Sequence, residues 1–445
     1  MGAARRSNLN RLDEMNSRMF SAVLTVSGAA FAQVATAQVP QAPAARPLPA
    51  PVTAAPVPVP PVNQPDALAP APAPVELPPP AWPVPAAQEL AAYVRAIGGE
   101  GLDPRDYAPD RLDGAIRSGN PQLLAEVATR TFKQVASDLA LGHVRGSARQ
   151  QWFVADKDLD GDRPQQVLMQ AVTTGRVAET LRGLLPTHPQ YGALRHALMV
   201  AQPDDTAAIS KIRLNMDRWR WLPRDLGQKY IIVNVPGEHA TLVENGATRW
   251  KHRAIAGAVK TPTPQLSVDA TGVILNPWWE VPRSLNGEVA GKRGYVAVRG
   301  KDGKVQRWRQ PPGPGNALGK IKFVMPNSEA IYLHDTNNRG LFDARARFFS
   351  HGCIRTQNIL DLAAELGSDD GGQYDRAKID EILASGKTVQ ANFVNPVPVY
   401  IVYFSTAALT DGQLVQYNDL YKRDGRVLAA LNDVGGTAPT RTAAK

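Results

Sequence analysis

The single cysteine of this 445-residue chain, Cys353, stands among residues that could do chemistry with it. It ends the polar turn Ser350-His351-Gly352-Cys353, Arg355 follows two residues later, and His334 precedes the turn. A cysteine thiolate is a strong nucleophile, and an imidazole can take the proton of the thiol. These residue types therefore predict nucleophilic acyl transfer, with Cys353 as the nucleophile and a histidine as the base.

Two features of the sequence would favour the thiolate and its reaction. Gly352 allows a tight backbone turn, so the amides of Gly352 and Cys353 could point at a developing oxyanion. Apolar residues at helical spacing (Ile359, Leu362, Ala363 and Leu366) predict a helix that ends at Gly367. Cys353 would lie just ahead of its N-terminus, whose partial positive charge favours an anion. The alternative, a buried and inert cysteine, fits poorly with the polar turn.

The elements that must position these residues fall into two groups. Residues 87–210 show helical spacing and predict a helical domain, whereas residues 211–432 contain short β-type runs between Gly and Asn turns. The fold class predicted is therefore α+β, with the helical domain ahead of a mostly β domain. The predicted helices cover residues 90–97, 123–141, 168–185 and 191–199, and the predicted strands cover residues 230–236, 241–244, 253–256, 272–275, 330–334 and 399–404.

The N-terminal region predicts targeting and spacer sequence. Four arginines precede an apolar stretch from Met19 to Ala37 that ends in small-x-small steps, a pattern typical of a secretory signal peptide. We predict a signal peptide at residues 1–37; a retained anchor or a buried helix is the alternative. Nearly half of the 38 prolines then fall within residues 38–86, which predicts a disordered, extended spacer. Residues 433–445 are predicted to be a disordered tail, and the protein is predicted to be periplasmic.

Composition narrows the classes of partner. With 43% hydrophobic and 20% charged residues the chain is globular, and no apolar run reaches the roughly 18 residues of a membrane span. The net charge of +9 suits nucleic acid, an anionic membrane surface or an acidic polymer such as a bacterial cell wall. No basic helical block, RNP-type motif or zinc finger is present, so nucleic acid is not expected as a partner. The histidines show no ligand spacing, so no metal site is expected.

Longer motifs give the sequence a family resemblance. His334 followed by Ser350-His351-Gly352-Cys353 and Arg355 resembles the signature of the YkuD-type L,D-transpeptidases. Four further segments resemble the large periplasmic, YcbB-like branch of that family: Asn-Met-Asp-Arg-Trp-Arg-Trp-Leu-Pro at 215–223, Asn-Pro-Trp-Trp-Glu-Val-Pro at 276–282, the Gly- and Pro-rich run 309–319, and Met-Pro-Asn-Ser-Glu-Ala-Ile-Tyr-Leu-His-Asp at 325–335.

The resemblance implies a thiol enzyme that acts on peptidoglycan stem peptides without a metal or an organic cofactor. Cys353 would attack the amide between the third residue of a donor stem and its terminal D-alanine. His334 would be the general base, oriented by a backbone carbonyl at or near Asp335, and the Gly352 and Cys353 amides would hold the oxyanion. The side-chain amine of a neighbouring stem would then resolve the thioester and form a 3→3 cross-link.

Substrate-binding residues are expected around this centre. By position, Trp278 or Trp279 and Tyr332 would line the groove, with Ser350 and His351 in the turn itself, and His351 could also tune the thiolate. Arg355 would meet a carboxylate of the stem or hold the catalytic loop; the sequence leaves both roles open.

The sequence departs from the larger members of the branch. Only a short segment separates Met199 from Lys211, so their peptidoglycan-binding insert is expected to be absent, and the expected flap between Pro282 and Arg309 is short. The acceptor stays open: water would make the enzyme a carboxypeptidase or amidase, and a protein lysine would make it an anchoring enzyme for outer-membrane proteins. A non-catalytic wall-binding scaffold is the remaining alternative. Membrane contact is expected only through an uncleaved signal.

Two further patterns carry other hypotheses. Asp156 to Asp162 resembles the opening of a calcium loop, but Val167 stands where an EF-hand needs Glu, so an acidic helix-capping turn is favoured. Trp219 and Trp221, two residues apart, predict a β-like run with both rings on one face. Packing between the domains is the favoured role for these rings, with stacking on sugars as the alternative.

Overall fold

The computed structural model describes residues 78–156, 158–409 and 411–433. The predicted signal peptide, the predicted spacer as far as residue 77 and the predicted tail from residue 434 lie outside these residues. In the described ranges no helix is both long and apolar enough to cross a membrane.

Residues 84–219 are helical, as the periodicity predicts. The helices are α1 (Val84–Arg95), α2 (Pro109–Arg117), α3 (Pro121–Leu141), α4 (Arg163–Thr174), α5 (Val177–Arg182), α6 (Pro189–Val200) and α7 (Thr206–Trp219), with 3₁₀ turns at Ile97–Glu100, Pro104–Tyr107 and Gly146–Ala148. The apolar face of α3 is fully buried at Phe132, Val135 and Leu139. Its start is fixed by proline in the first turn and by the Asn120 side chain, which accepts hydrogen bonds from two amides of that turn.

The helical region differs from the prediction in three places. It begins before Ala87, because Trp82 is buried against Phe132. The helix predicted over residues 168–185 is divided into α4 and α5, because Gly175 takes a left-handed conformation (φ 67°) that ends α4. The boundary predicted at residue 210 falls inside α7, which therefore belongs to both regions.

The β region is a sheet that closes on itself. In chain order the strands are β1 (Trp152–Phe153), β2 (Lys229–Asn234), β3 (His239–Glu244), β4 (Ala247–Gly257), β5 (Gln265–Leu275), β6 (Trp279–Glu280), β7 (Val296–Arg299), β8 (Val305–Gln310), β9 (Ile321–Val324), β10 (Leu333–His334), β11 (Phe348–Ser350), β12 (Ile354–Thr356), β13 (Val389–Val402), β14 (Thr406–Ala408) and β15 (Leu414–Gln416). Neighbours run β5, β13, β2, β3, β4, β12, β10, β9, and β9 pairs again with β5. The predicted α+β fold class is confirmed.

Four helices and two small sheets accompany this ring, one of them formed by β14 and β15. The helices are α8 (Asn286–Val289), α9 (Ile359–Asp369), α10 (Arg376–Ser385) and α11 (Asp424–Leu431). Strands β6, β8 and β7 form a separate three-stranded sheet, and we call residues 279–310, which contain it and α8, the flap. The predicted helix end at Gly367 is wrong, because α9 continues to Asp369. Gly367 instead allows close packing, since a Cβ there would lie 2.4 Å from the Tyr374 carbonyl oxygen.

The helical and β regions belong to one compact unit. Trp219 lies between them, with its ring stacked on His188 at 4.2 Å and on Phe404 at 4.3 Å between centroids. The prediction that Trp219 packs between the domains is confirmed. The β-like run predicted around Trp219 and Trp221 is wrong, because Trp219 ends α7 and Trp221 follows in a turn.

Candidate active site

Four side chains of the site are placed by the parallel pairing of β10 with β12. His334 on β10 pairs with Arg355 on β12, and two residues earlier along both strands Tyr332 lies opposite Cys353. Because side chains alternate along a strand, all four share one face of the sheet. The intervening residues of both strands are fully buried on the opposite face, which fixes the register.

Strand β9 adds a positive charge beside this face. Lys322 pairs with His334 across the antiparallel β9–β10 ladder, so its side chain lies on the same face. Its ammonium nitrogen is 4.9 Å from the centre of the Tyr332 ring, within the range of a cation–π contact. Lys322 and Arg355 therefore flank His334 from its two neighbouring strands.

His334 is held neutral by its surroundings. Burial, together with the positive charges of Arg355 and Lys322, lowers its pKa to about 3. The Asp335 backbone lies close enough to favour the imidazolium, but within the described residues Nδ1 has no partner at full hydrogen-bonding geometry. An imidazole that stays neutral through the physiological pH range is able to accept a proton.

The thiol of Cys353 is protonated at rest, yet it is surrounded by groups that favour its anion. Burial raises the pKa of Cys353 above its ordinary value, and the thiol donates weakly to the Ala330 carbonyl at 3.6 Å. The amide and hydroxyl of Tyr332 and the charges of Lys322 and Arg355 act in the opposite direction. The residue as a whole is partly exposed and lines a cavity.

Cys353 does not lie next to a helix N-terminus, contrary to the expectation from the sequence. Strand β12 follows it directly, and α9 begins only at Ile359. The groups that favour the thiolate are thus two side-chain cations and a tyrosine, not a helix dipole. A strand of three residues is too short to show a period in the sequence, which explains why it was missed.

The turn that carries Cys353 is held from the loop between β4 and β5. Thr263 is fully buried, and its hydroxyl donates to the Gly352 carbonyl at 2.7 Å while accepting from the Gly257 amide at 2.9 Å. The Ser350 carbonyl accepts from the Ala258 amide at 2.8 Å. The backbone on each side of His351 is therefore bonded to the same loop, which limits movement of the turn.

Ser350 also closes the turn internally. Its hydroxyl donates to the Cys353 carbonyl at 2.5 Å and accepts from the Gly352 amide at 3.1 Å. The Gly352 amide, expected as an oxyanion donor, is thus already engaged, whereas the Cys353 amide makes no hydrogen bond with the described residues. Gly352 has φ of 118°, a conformation that a residue with a Cβ adopts only with strain.

Asp335, expected to orient His334 through its backbone, is itself firmly anchored. Its carboxylate accepts from the Lys320 amide at 2.9 Å and pairs with Arg339 at 3.0 Å. Gly319, at φ 63°, makes room for this carboxylate, because a Cβ there would lie 2.4 Å from Oδ2. The backbone that follows His334 is therefore fixed to the segment ahead of β9.

A cavity of about 270 Å³ opens over the reactive face. Cys353, His334 and Arg355 line one side, and the flap lines the other with an apolar wall that includes Leu285 and Val289. Tyr332 and Trp279, both expected to line the groove, do so, and the Trp279 indole is within hydrogen-bonding reach of the Tyr332 hydroxyl. Trp278 instead packs against Arg309, whose guanidinium carbon is 4.3 Å from the indole centroid.

The two remaining turn residues sit differently in this cavity. Ser350 lines it but is only 3% exposed, so its hydrogen bonds serve the turn. His351 is half-exposed at the mouth, and its Nε2 lies 3.5 Å from a carboxylate oxygen of Glu288 in the flap. His351 thus faces the flap, and the two sides of the cavity meet through this pair.

The acidic segment 156–162 forms a local turn. Asp156 accepts from the Asp158 amide at 2.9 Å, and Asp162 stands at the N-cap of α4 without making a side-chain cap. The predicted capping role is therefore wrong. Across the described ranges, no group of three or more potential metal ligands comes together.

Comparisons with known proteins agree with this geometry. Residues 228–389 match the family described as the L,D-transpeptidase catalytic domain, and residues 79–198 match the family described as the scaffold domain. A Haemophilus influenzae protein whose name assigns it provisionally to the L,D-transpeptidases is 28% identical over 372 residues, which is 74% of this chain and 75% of that protein. The chain contains a YkuD-type L,D-transpeptidase catalytic domain, preceded by a scaffold domain.

Solved structures of L,D-transpeptidases are also similar in part. An L,D-transpeptidase from Mycobacterium smegmatis is 14% identical, with a TM-score of 0.23 over 39% of this chain and 58% of that one. L,D-transpeptidase 3 from Mycobacterium tuberculosis is 12% identical, with a TM-score of 0.22 over 39% of this chain and 60% of that one. This chain therefore spans less than two thirds of either structure.

Two residues of this L,D-transpeptidase domain were missed by the sequence reasoning. Lys322 occupies the single polar position between buried Ile321 and Phe323, and that alternation is a strand signal, but no local pattern indicates that this strand pairs with β10. Thr263 lies in the loop Thr261-Pro-Thr-Pro264, which carries turn signals alone. Its hydrogen bond to Gly352 joins residues 89 positions apart, and no local pattern encodes that contact.

Proposed function

We propose that this chain is a peptidoglycan L,D-transpeptidase that forms 3→3 cross-links through a thioester on Cys353. The observation that carries the proposal is the convergence of a thiol, a neutral imidazole and the Arg355 guanidinium on one cavity, with the Lys322 charge close to both reactive groups. The match to the L,D-transpeptidase catalytic domain supports peptidoglycan peptides as the substrate. It also supports a site of action in the cell envelope, which we propose to be the periplasm.

In the first step the Cys353 sulfur attacks the carbonyl carbon between the third residue of a donor stem and its terminal D-alanine. His334 takes the thiol proton as the carbon–sulfur bond forms. The Cys353 amide then donates to the oxyanion, because this amide has no partner among the described residues. Collapse of the intermediate breaks the carbon–nitrogen bond, and the proton held on His334 passes to the leaving amine of D-alanine.

The charges of the site favour proton transfer during the reaction over a permanent ion pair. Arg355 and Lys322 stabilise a thiolate on Cys353 and disfavour a cation on His334. The imidazole therefore gives up its proton readily once the amine leaves, which suits a group that must act first as a base and then as an acid. The Tyr332 hydroxyl donates to the sulfur and holds it in place.

In the second step an acceptor amine attacks the thioester. The amine comes from the side chain of a neighbouring stem, its proton passes to His334, and the carbon–sulfur bond breaks to restore Cys353. Donor recognition falls to Arg355, which would pair with a stem carboxylate, and to the flap, where Trp279 and Leu285 offer apolar contacts. No metal or organic cofactor takes part in this scheme.

The acceptor is tested by incubating purified sacculi with the wild-type protein or with Cys353→Ser. We expect wild type to release free D-alanine and to accumulate 3→3 dimers, resolved by mass spectrometry of the muropeptides, and Cys353→Ser to do neither. Release of D-alanine without dimers would contradict cross-linking and identify water as the acceptor. Transfer of a stem to an added protein lysine, again without dimers, would identify an anchoring enzyme. If the wild-type protein yields neither free D-alanine nor dimers, the proposal that it is an enzyme is contradicted.

A further inference from the structure

A groove in the scaffold domain is larger than the catalytic cavity. It encloses about 970 Å³ between α1, α5, α6 and the 3₁₀ turn Ile97–Glu100, and we call it the scaffold groove. Small residues make this space: its lining includes Ala92, Ala96, Gly98, Gly99, Ala178 and Gly192. A Cβ added to any of the three glycines would meet nothing within 4 Å, so none of them is required for packing.

The groove is lined by two carboxylates and two guanidiniums, and one of these guanidiniums is free to meet an anion. Both acidic residues in its lining are already engaged: Glu89 accepts from two amides at the start of α5, at 3.0 and 3.1 Å, and Glu100 pairs with Arg195 at 3.2 Å. Arg182, in contrast, is exposed and forms no ion pair with a described residue. His196 also lines the groove. A ligand with carboxylates would therefore meet an unneutralised guanidinium.

A buried hydroxyl without a partner also belongs to a residue of the groove wall. Tyr93 lines the groove and is only 9% exposed, yet its hydroxyl has no hydrogen-bond partner within the described residues. Burial and the nearby Glu100 charge raise the pKa of Tyr93, so the hydroxyl keeps its proton and remains a donor. The Arg182 guanidinium lies over the Tyr93 ring, 5.9 Å from its centre. The two donors thus stand together in one wall.

The groove also offers apolar contact and a firm link to the catalytic domain. Met199, at one side of the groove, is 76% exposed, which is high for a methionine in a folded domain. Helix α6, which forms this side, is joined to β14 because the Gln190 side chain donates to the Ala408 carbonyl at 3.0 Å. A ligand held in the groove is therefore held at a fixed position relative to the catalytic domain.

We propose that the scaffold groove binds a peptidoglycan stem peptide, an acidic peptide whose alanine methyl groups pack on the small residues and whose carboxylate pairs with Arg182. The proposal rests on the proposed function, because the same polymer supplies the donor and acceptor stems. It assigns glycopeptide binding to the scaffold domain of a chain in which the sequence predicts no separate peptidoglycan-binding insert. The groove would keep the enzyme on the polymer between reactions.

The test uses the full chain carrying Cys353→Ala, which prevents turnover, and soluble glycan strands with intact stems. Gly192→Phe fills the groove from α6, and Gly114→Phe is its matched control, because Gly114 lies in a helix outside the groove and also has open space around its Cβ. Arg182→Glu removes the cation, and Arg117→Glu is its control, since both arginines lie exposed in the last turn of a helix. Thermal unfolding checks that each variant is folded.

We expect Gly192→Phe and Arg182→Glu each to weaken binding in calorimetry by about tenfold or more, with both controls within about twofold of the parent. Amidation of the stem carboxylates should weaken binding as strongly as Arg182→Glu. The proposal would be overturned if the parent and both groove variants bound the glycan strands with equal affinity. It would also be overturned if the parent bound strands stripped of their stems as tightly as strands with intact stems. The proposed function has a separate readout, which is carbapenem acylation of Cys353 in chains that keep this cysteine. Gly192→Phe should leave that acylation unchanged.

Discussion

The catalytic cavity and the scaffold groove are built in opposite ways. In the cavity, strand register places each reactive side chain, and the turn around Cys353 is bonded to a neighbouring loop on both sides of His351. In the groove, small residues leave about 970 Å³ open, and the charges lie on helix surfaces. The difference teaches that the side chains of the cavity are placed by backbone positions in the sheet, whereas the groove is formed by space left between helices.

The largest difference in the rate of Cys353 acylation is expected between substitutions of two histidines, one in the catalytic cavity and one in the helical region. Burial lowers the pKa of His334 to about 3 and that of His188 to about 4, so both are neutral. His334→Gln should lower the rate of Cys353 acylation by about 10³-fold, because the base is lost. His188→Asn, which keeps a cap for the first turn of α6, should lower only the melting temperature.

Stopped-flow acylation by a carbapenem and thermal unfolding measure the two outcomes. A His334→Gln variant that acylates at the wild-type rate would remove the general base from the account. A large loss of acylation in His188→Asn would contradict the separation of the two regions.

The next largest difference in acylation is expected between substitutions of two buried threonines. Thr263→Val leaves the Gly257 amide without a partner and releases the Gly352 carbonyl, so we expect a loss of about 2 kcal/mol in the free energy of unfolding. Acylation should fall by about tenfold because the turn is misplaced. Thr129→Val removes only an acceptor for the Trp82 indole, and it should cost about 1 kcal/mol without changing acylation.

Urea unfolding and acylation are measured on both threonine variants. Equal acylation of Thr263→Val and Thr129→Val would show that the loop does not position the turn. Wild-type stability of Thr263→Val would contradict the two hydrogen bonds.

A smaller, pH-dependent effect is expected at Lys322. Its charge favours the Cys353 thiolate, so Lys322→Met should raise the pKa of the thiol and slow acylation at neutral pH about tenfold. The difference in acylation rate between Lys322→Met and wild type should disappear as the pH rises through the thiol pKa. At neutral pH the wild-type protein is faster because a larger fraction of its Cys353 is thiolate. Lys320→Met is the control, since Lys320 is exposed and lies in the turn ahead of the strand that carries Lys322. A deficit that is constant with pH would indicate a packing effect.

The smallest change in acylation rate is expected from the pair formed by His351 in the turn and Glu288 in the flap. Glu288 and His351 are both about half exposed and 3.5 Å apart, so water and salt screen their interaction. Glu288→Gln should change acylation by less than about threefold, and the change should vanish at high ionic strength. Glu280→Gln, which removes an exposed pair with Arg307 elsewhere in the flap, serves as control. A tenfold loss that persists in salt would give His351 a role in the reaction.

Much of the fold could be predicted because its elements carry strong periods. The β-type apolar run in β2 and the helical spacing in α3 and α6 placed those elements near their observed bounds. The α+β class and the family signature around Cys353 could be predicted for the same reason, since both depend on local patterns. The division of α4 from α5 at Gly175 could also have been seen from the glycine.

The parts that could not be predicted are contacts between distant segments. The parallel pairing of β10 with β12 involves two very short strands, so the position of Lys322 and Arg355 on either side of His334 had no local signature. The engagement of the Gly352 amide by Ser350 depends on how the turn closes, which composition does not set. The scaffold groove, likewise, arises from small residues on three helices that only packing brings together.

The central claim, that a neutral His334 activates a protonated Cys353 thiol, is tested most directly by the pH dependence of acylation. The rate of carbapenem adduct formation is followed by intact-protein mass spectrometry between about pH 5 and 10, and peptide mapping locates the adduct. We predict a single adduct, on Cys353. Because burial raises the pKa of Cys353 and the pKa of His334 is about 3, the rate of adduct formation should rise with pH toward the alkaline end, with no break near the ordinary histidine pKa. A clear break near pH 6.5, or an adduct that persists in Cys353→Ser, would contradict the account.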